Sequence, residues 1–214
     1  MSTSMVWTAT RAKSVLMNAF YGRFAPIVKA LDDGFCPAAE ALYDNHDFIN
    51  YTLLHFATEW RTLHSLVPRL LEAGWDPNAG VSIVTPLRIA FRAGNLFLIK
   101  TLCAAGASLS MEDAMHWARY AWEMPSNLAI ATWLVDQQMD LTWRDRCGLS
   151  LVDNLRVEME SCPTFFRTMP NRYSVLCCLQ DAIQRQEARW NPARSAWLAA
   201  CCVHVFHCGI TSVK

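Results

Sequence analysis

Apolar and polar positions across residues 85–108 predict two short helices joined by a tight turn. Apolar side chains recur with helical spacing over 87–91, and the polar break at 94–95 interrupts them. A second apolar run follows over 96–103 and stops short of Gly106. The pattern therefore indicates an antiparallel helical hairpin.

Start and stop signals bracket this hairpin. Thr85 followed by Pro86 is typical of a helix N-terminus, because the threonine oxygen accepts an unpaired N–H and proline stands where no donor is needed. Gly106, like Gly74 and Gly34, stands where a helix C-terminus takes a left-handed residue. Each unit should be helix, tight turn, helix and exposed turn.

The chain repeats this unit with a period of about 32 residues. Three segments share a leucine-containing apolar stretch before a turn, and their marker positions are 74, 106 and 138: 70–78, 102–108 and, more faintly, 134–140. Upstream, 52–57 echoes 85–90 in the same phase. Because one small hairpin cannot bury its own apolar face, neighbouring copies must stack.

Residues 85–108 resemble the ankyrin repeat. The matching positions are Thr85, Pro86, Leu87, Ala90, Gly94, Asn95, Leu98, Ile99, Leu102, Gly106 and Ala107. Residues 52–78 match less regularly, with a one-residue insertion near Trp60, through Thr52, Leu54, His55, Ala57, Leu66, Val67, Leu70, Leu71, Gly74, Asp76 and Asn78. Degenerate units precede and follow, so the resemblance covers about 15–160, or extends to 186 if 173–186 supplies the last outer helix.

The resemblance implies an all-α fold, an ankyrin-repeat solenoid of about five stacked helical hairpins with short β-hairpin-like turns. The expected organisation is a leader over 1–14, the repeat domain over 15–186 and a Cys/His-rich apolar tail over 187–214.

The resemblance also implies an adaptor or inhibitor that binds another protein through the concave face and the hairpin tips, without catalysis or a cofactor. Trp60 and Arg92 are the leading anchors, because tryptophan and arginine often carry most of an interface's binding energy. The variable positions expected to contact the partner are Phe48, Ile49, Tyr51, Glu59, Trp60, Val81, Ser82, Val84, Arg92, Arg146 and Leu149.

Composition narrows the partner class. A chain with 53% hydrophobic and only 18% charged residues should fold, and its 19 basic and 19 acidic residues create no net field to attract nucleic acid. The nine cysteines are an odd number and most stand singly in apolar segments, as Cys103 and Cys147 do, which favours small buried side chains in a reducing compartment. With no signal peptide and no membrane-spanning stretch in the sequence, we expect an intracellular, cytoplasmic protein.

Two alternatives remain open at this stage. The helix predicted over 174–183, with a stripe of Val175, Leu179 and Ile183, faintly resembles the elongin-binding box of ubiquitin-ligase substrate adaptors. In the tail, Cys201, His204 and Cys208 have helical spacing and are candidates for binding zinc or for redox chemistry. A tetrahedral zinc ion takes four ligands, and four ligands from one short segment rarely converge on it. Acylation of the tail cysteines would instead add weak membrane contact.

His55 is the one histidine inside the repeat pattern that invites a catalytic interpretation. The resemblance implies instead that its ring ties backbone groups of adjacent hairpins together. No phosphate-binding loop, nucleophile elbow or zinc-protease helix occurs in the sequence, so we expect no enzyme.

Overall fold

The computed structural model describes residues 9–35, 51–79, 84–120, 127–161 and 171–190. Most of the described residues are helical, and apart from one bridge residue, Tyr51, none of them lies in a strand. The chain divides into two compact units, 1–126 and 127–214. The all-α expectation is confirmed for these residues.

The first unit contains seven helices and one 3-10 segment among its described residues. They are α1 (Ala9–Phe20), α2 (Phe24–Asp32), α3 (Leu53–Glu59), the 3-10 segment Arg61–Leu66, α4 (Val67–Glu72), α5 (Pro86–Arg92), α6 (Leu96–Ala104) and α7 (Met111–Tyr120). Helices α1, α3, α5 and α7 form one row in which each packs on the next, and α4 packs on α6 in a second row.

The second unit contains α8 (Asn127–Asp136), α9 (Leu151–Ser161) and α10 (Asn171–Trp190). Helix α10 packs on both α8 and α9. Thr132 lies beside Cys178, and the Gln186 side chain bonds to the backbone of Met139 and Leu141, so α8 and α10 run parallel. The predicted helix over 173–186 is therefore present, and α10 continues past it to Trp190.

The sequence signals act as expected at α5 and α6. Thr85 caps α5 by accepting the Arg88 N–H at 3.2 Å, and Pro86 occupies the first turn. Asn95 caps α6 by accepting the Leu98 N–H at 3.1 Å. The helix start at Thr85 and the break at 94–95 are confirmed.

The second helix of each of these pairs ends in the same type of turn. At α6 the Ala107 N–H bonds back to the Leu102 carbonyl at 2.9 Å, and Gly106 takes φ 95. The same backbone pattern closes α2 at Gly34 and α4 at Gly74. At the third marker position the residue is Gln138, which adopts φ 55 although it is not a glycine. The marker positions 74, 106 and 138 are thus all left-handed in the structure.

Neighbouring helical pairs in the first unit are aligned in parallel register. His55 at the start of α3 bonds to the Val84 carbonyl just before α5, and Glu59 at the end of α3 pairs with Arg92 at the end of α5. Along the exposed turns, the Asn78 side chain bonds to Gly106 and Ser108. Contacts at both ends of the helices fix their stacking.

The predicted leader boundary and the β-hairpin-like turns differ in detail from the structure. Helix α1, Ala9–Phe20, runs across the expected boundary between the leader (1–14) and the repeat domain, and Ala12 within it is fully buried. Between α6 and α7 the connection Ala107–Ser110 is irregular, with no strand pairing. The turn tips at 36–50 and 80–83 lie outside the described residues.

The substitution Gly106→Ala should lower the free energy of unfolding by about 1 kcal/mol. A Cβ at this position meets nothing within 4 Å, so the cost is the left-handed backbone alone. Gln138→Gly should act in the opposite direction by about 0.5 kcal/mol, because relief of strain outweighs the entropy of glycine in the unfolded chain. Urea denaturation followed by tryptophan fluorescence measures both; equal effects of the two would refute the assignment.

The substitution Arg88→Met should destabilise the protein by about 3 kcal/mol, because it leaves the carboxylate of Asp113 buried without its cation. The Arg88 Nε to Asp113 Oδ1 distance is 3.1 Å, and the two side chains are only 14% and 6% exposed. Arg69→Met is the matched control, since its pair with Asp32 is 42% and 58% exposed and should matter by less than about 1 kcal/mol. Equal losses in urea denaturation would contradict this difference.

Candidate functional site

Three residues predicted to contact a partner meet at the C-terminal ends of α3 and α5. The Glu59 carboxylate pairs with the Arg92 guanidinium, and the Tyr51 side chain is hydrogen-bonded to Arg92. Burial, followed by the charge of Glu59, raises the pKa of the Tyr51 phenol. The tyrosine is therefore neutral and orients the arginine from within the protein.

Tyr51 differs from the prediction because it is buried rather than displayed. Its ring lies 4.9 Å from the His55 ring and 5.3 Å from the Phe56 ring, centroid to centroid. Tyr51 precedes α3 by two residues, and six of the seven residues of this helix are buried. Its contribution to a partner surface is indirect, through Arg92.

The turn at Trp60 differs from the glycine turns of the neighbouring pairs. Gly22 and Gly94 close the turns after α1 and α5 with φ near 60°, whereas Trp60 is extended and leads into the 3-10 segment. This change of geometry accommodates the inserted residue. The Trp60 side chain is 38% exposed, next to the Glu59–Arg92 pair.

The turn between α1 and α2 lies against Trp60 at Gly22, and it carries exposed aromatic residues of its own. A Cβ added at Gly22 would lie 3.9 Å from Trp60 Cγ, and the Thr62 hydroxyl donates to the Gly22 carbonyl at 3.2 Å. Tyr21 and Phe24 flank this glycine and are 59% and 43% exposed. We use the name aromatic edge for the set Tyr21, Arg23, Phe24, Trp60 and Arg61.

Sequence reasoning missed the α1–α2 half of the aromatic edge. A signal existed in the run Tyr21-Gly22-Arg23-Phe24, where aromatic and basic residues surround a turn glycine. The repeat pattern directs attention to hairpin tips and inner helices, not to the turns between paired helices. Only the stacking of the two pairs shows that these turns adjoin.

The other predicted contact residues are distributed differently. Val84 is half-buried and its carbonyl accepts the His55 bond. Arg146 is exposed and Leu149 is half-buried in the second unit, on the turn organised by the Asp145 carboxylate. Phe48, Ile49, Val81 and Ser82 lie outside the described residues.

His55 has both ring nitrogens committed to backbone groups. Nδ1 accepts the Thr52 N–H at 3.1 Å, so Nε2 carries the proton and donates to the Val84 carbonyl at 3.1 Å. Burial lowers its pKa to about 4, with the Val84 bond partly opposing the shift. The neutral ring acts as a tie between adjacent helical pairs.

The stripe that resembles an elongin-binding box is covered by the protein itself. Val175 and Leu179 are buried, and their helix α10 packs on α8 and α9. In this position α10 is the second helix of the last pair. Charged substitutions there would disturb the core before they tested any partner.

Cysteines in the described residues fall into two environments. Cys103 is half-buried, and burial raises the pKa of its thiol to about 11, so it stays protonated. Cys147 is exposed, so the prediction that it is a buried small side chain is wrong. It stands at the tip of a turn, where Asp145 accepts its N–H at 2.8 Å.

Metal ligands do not cluster in the part of the chain that the structure describes. The tail candidates Cys201, His204 and Cys208 lie outside it. A cleft of about 430 Å³ separates the C-terminal ends of α8 and α10; Arg185, Arg189 and Asp136 are among its lining residues. Among the described helices, none has the length and apolar character needed to cross a membrane.

No model of a protein family matches the sequence, and no curated protein matches it. The geometry above must therefore support any functional argument.

Acidification should destabilise the protein through His55. Its pKa is lowered from 6.5 unfolded to about 4 folded, so the unfolded state binds more protons between these values. The free energy of unfolding should fall by about 3 kcal/mol as pH drops from 6.5 to 4. His64, whose pKa burial also lowers, acts in the same direction.

Urea denaturation at a series of pH values checks this window. His55→Gln keeps a donor and an acceptor but removes the titration, so its stability should vary less with pH than that of the wild type or of His64→Gln. An unchanged slope in His55→Gln would overturn the assignment.

Proposed function

We propose that the protein is a non-catalytic, intracellular interaction module, an adaptor or inhibitor, built as an ankyrin-type solenoid of about five helical pairs. It binds a partner protein through a surface centred on Trp60 and Arg92. The observation that carries the proposal is the exposed Trp60, which directly follows Glu59 of the Glu59–Arg92 pair at the end of α3.

The parallel register of the helical pairs supports the solenoid. Inner helices contact inner helices, and α4 contacts α6 in the other row. The inter-pair bonds from His55 and Asn78 join equivalent positions about one repeat apart. This arrangement presents the ends of successive helices as one extended surface.

The chemistry of the surface supports recognition rather than catalysis. Tryptophan and arginine bury large areas on binding, and Arg92 is pre-oriented by Tyr51 and Glu59, which lowers the entropy lost on association. His55, the residue that invites a catalytic interpretation, has both ring nitrogens bonded to backbone groups. The described cysteines are all free thiols, as a reducing compartment favours.

Cross-linking of the full chain in cells, followed by mass spectrometry, tests the proposal. Trp60→Ala and Arg92→Gln should each reduce capture of the same partner at least 10-fold, since central aromatic and arginine anchors contribute about 2 kcal/mol. Phe97→Ala is the matched control, because Phe97 is 62% exposed and belongs to α6, not to α3 or α5. It should leave capture unchanged.

Thermal denaturation must show that the variants remain folded. Capture that survives both substitutions, or that Phe97→Ala reduces equally, would exclude this surface as the binding site.

A further inference from the structure

We propose that the aromatic edge binds a segment of the partner that combines acidic and apolar side chains. The inference rests on the proposed function and names the chemistry of its partner. Its surface extends the Trp60 site across the α1–α2 turn, to Tyr21, Arg23 and Phe24.

Side chains of the aromatic edge come from two turns that are bonded together. The Thr62–Gly22 hydrogen bond and the approach of Trp60 to Gly22 fix the turn after α3 against the turn after α1. The guanidinium carbon of Arg23 lies 5.3 Å from the centroid of the Tyr21 ring. The two turns are thus joined, and the Arg23 guanidinium lies over the Tyr21 ring within one of them.

Two rings of the aromatic edge, those of Tyr21 and Phe24, remain exposed to solvent. Phe20, next to Tyr21, makes ring contacts with both Tyr21 and the buried Phe56. Tyr21 itself remains 59% exposed and Phe24 43% exposed. The outer rings are therefore available to pack on apolar side chains of a partner.

The positive charge of the aromatic edge determines which polar side chains of a partner complement it. Among the described residues, no carboxylate pairs with Arg23 or Arg61, although other arginines in the first unit, Arg69, Arg88 and Arg92, each have an acidic partner. The neighbouring Glu59 is neutralised by Arg92. Two uncompensated cations flank three rings, so aspartate or glutamate side chains complement the edge.

The number of cations disfavours an anionic membrane. Each basic residue near an anionic membrane raises affinity about fivefold, so two raise it only about 30-fold. A protein segment gains both ion pairing and burial of aromatic area in a single site. The structure therefore favours a peptide segment over a lipid surface.

The test is selection of a random-sequence peptide library displayed on phage against the immobilised full chain. Selected peptides should be enriched in aspartate or glutamate alternating with apolar residues. Measured by fluorescence anisotropy, the selected peptides should bind Arg23→Glu/Arg61→Glu about 30-fold more weakly, and high salt should weaken binding. Lys13→Glu/Lys100→Glu is the matched control of equal charge change at exposed sites, and it should bind normally.

Three outcomes would overturn the inference: peptides without acidic enrichment, equal binding by the charge-reversed variant, or sedimentation with phosphatidylserine vesicles that the same substitutions abolish. The proposed function is judged separately. If Trp60-dependent partner capture persists while Arg23→Glu/Arg61→Glu leaves it unchanged, only the acidic-segment inference fails. If neither Trp60 nor the arginines affect capture, both proposals fail.

Discussion

Burial of very short helices on all sides is the constraint on which the first unit depends. Helix α3 has seven residues, and six of them, Leu53–Thr58, are buried. A helix this short is unstable alone in water, because nucleation costs more than a few backbone bonds return. Helix α3 exists because α1 and α5 cover it on either side and α4 lies behind it.

The same constraint explains why polar ties recur at the helix starts. The third residue of successive inner helices is His55, Arg88 and Asp113. His55 bonds to the next pair's backbone, and Arg88 bonds to Asp113, which also accepts the hydroxyl of its own cap Ser110 at 2.7 Å. Different chemistries at one position perform one task, which is to hold buried helix ends in register without leaving a donor or acceptor unpaired.

The irregular turn at Trp60 forms part of the candidate binding surface. Where neighbouring pairs turn at a glycine, the chain after α3 is extended at Trp60, and the exposed Trp60 ring follows the end of the helix. The Thr62–Gly22 bond then joins this turn to the preceding one. The repeats supply a rigid platform, and the departure from the repeat supplies the side chains that distinguish this chain from others of similar pattern.

The sequence by itself determined the helices, their order and their turns. Thr85, Gly94 and Gly106 act locally, through caps and left-handed backbone, so their effects are legible from a few neighbours. The tertiary structure decided which side chains are buried and which are exposed. Tyr51 and Val175 are apolar residues at positions where the sequence permits either burial or exposure, and only packing against other helices buries them. The aromatic edge, in turn, joins residues about 40 apart, and such proximity follows from how helical pairs stack rather than from any local pattern.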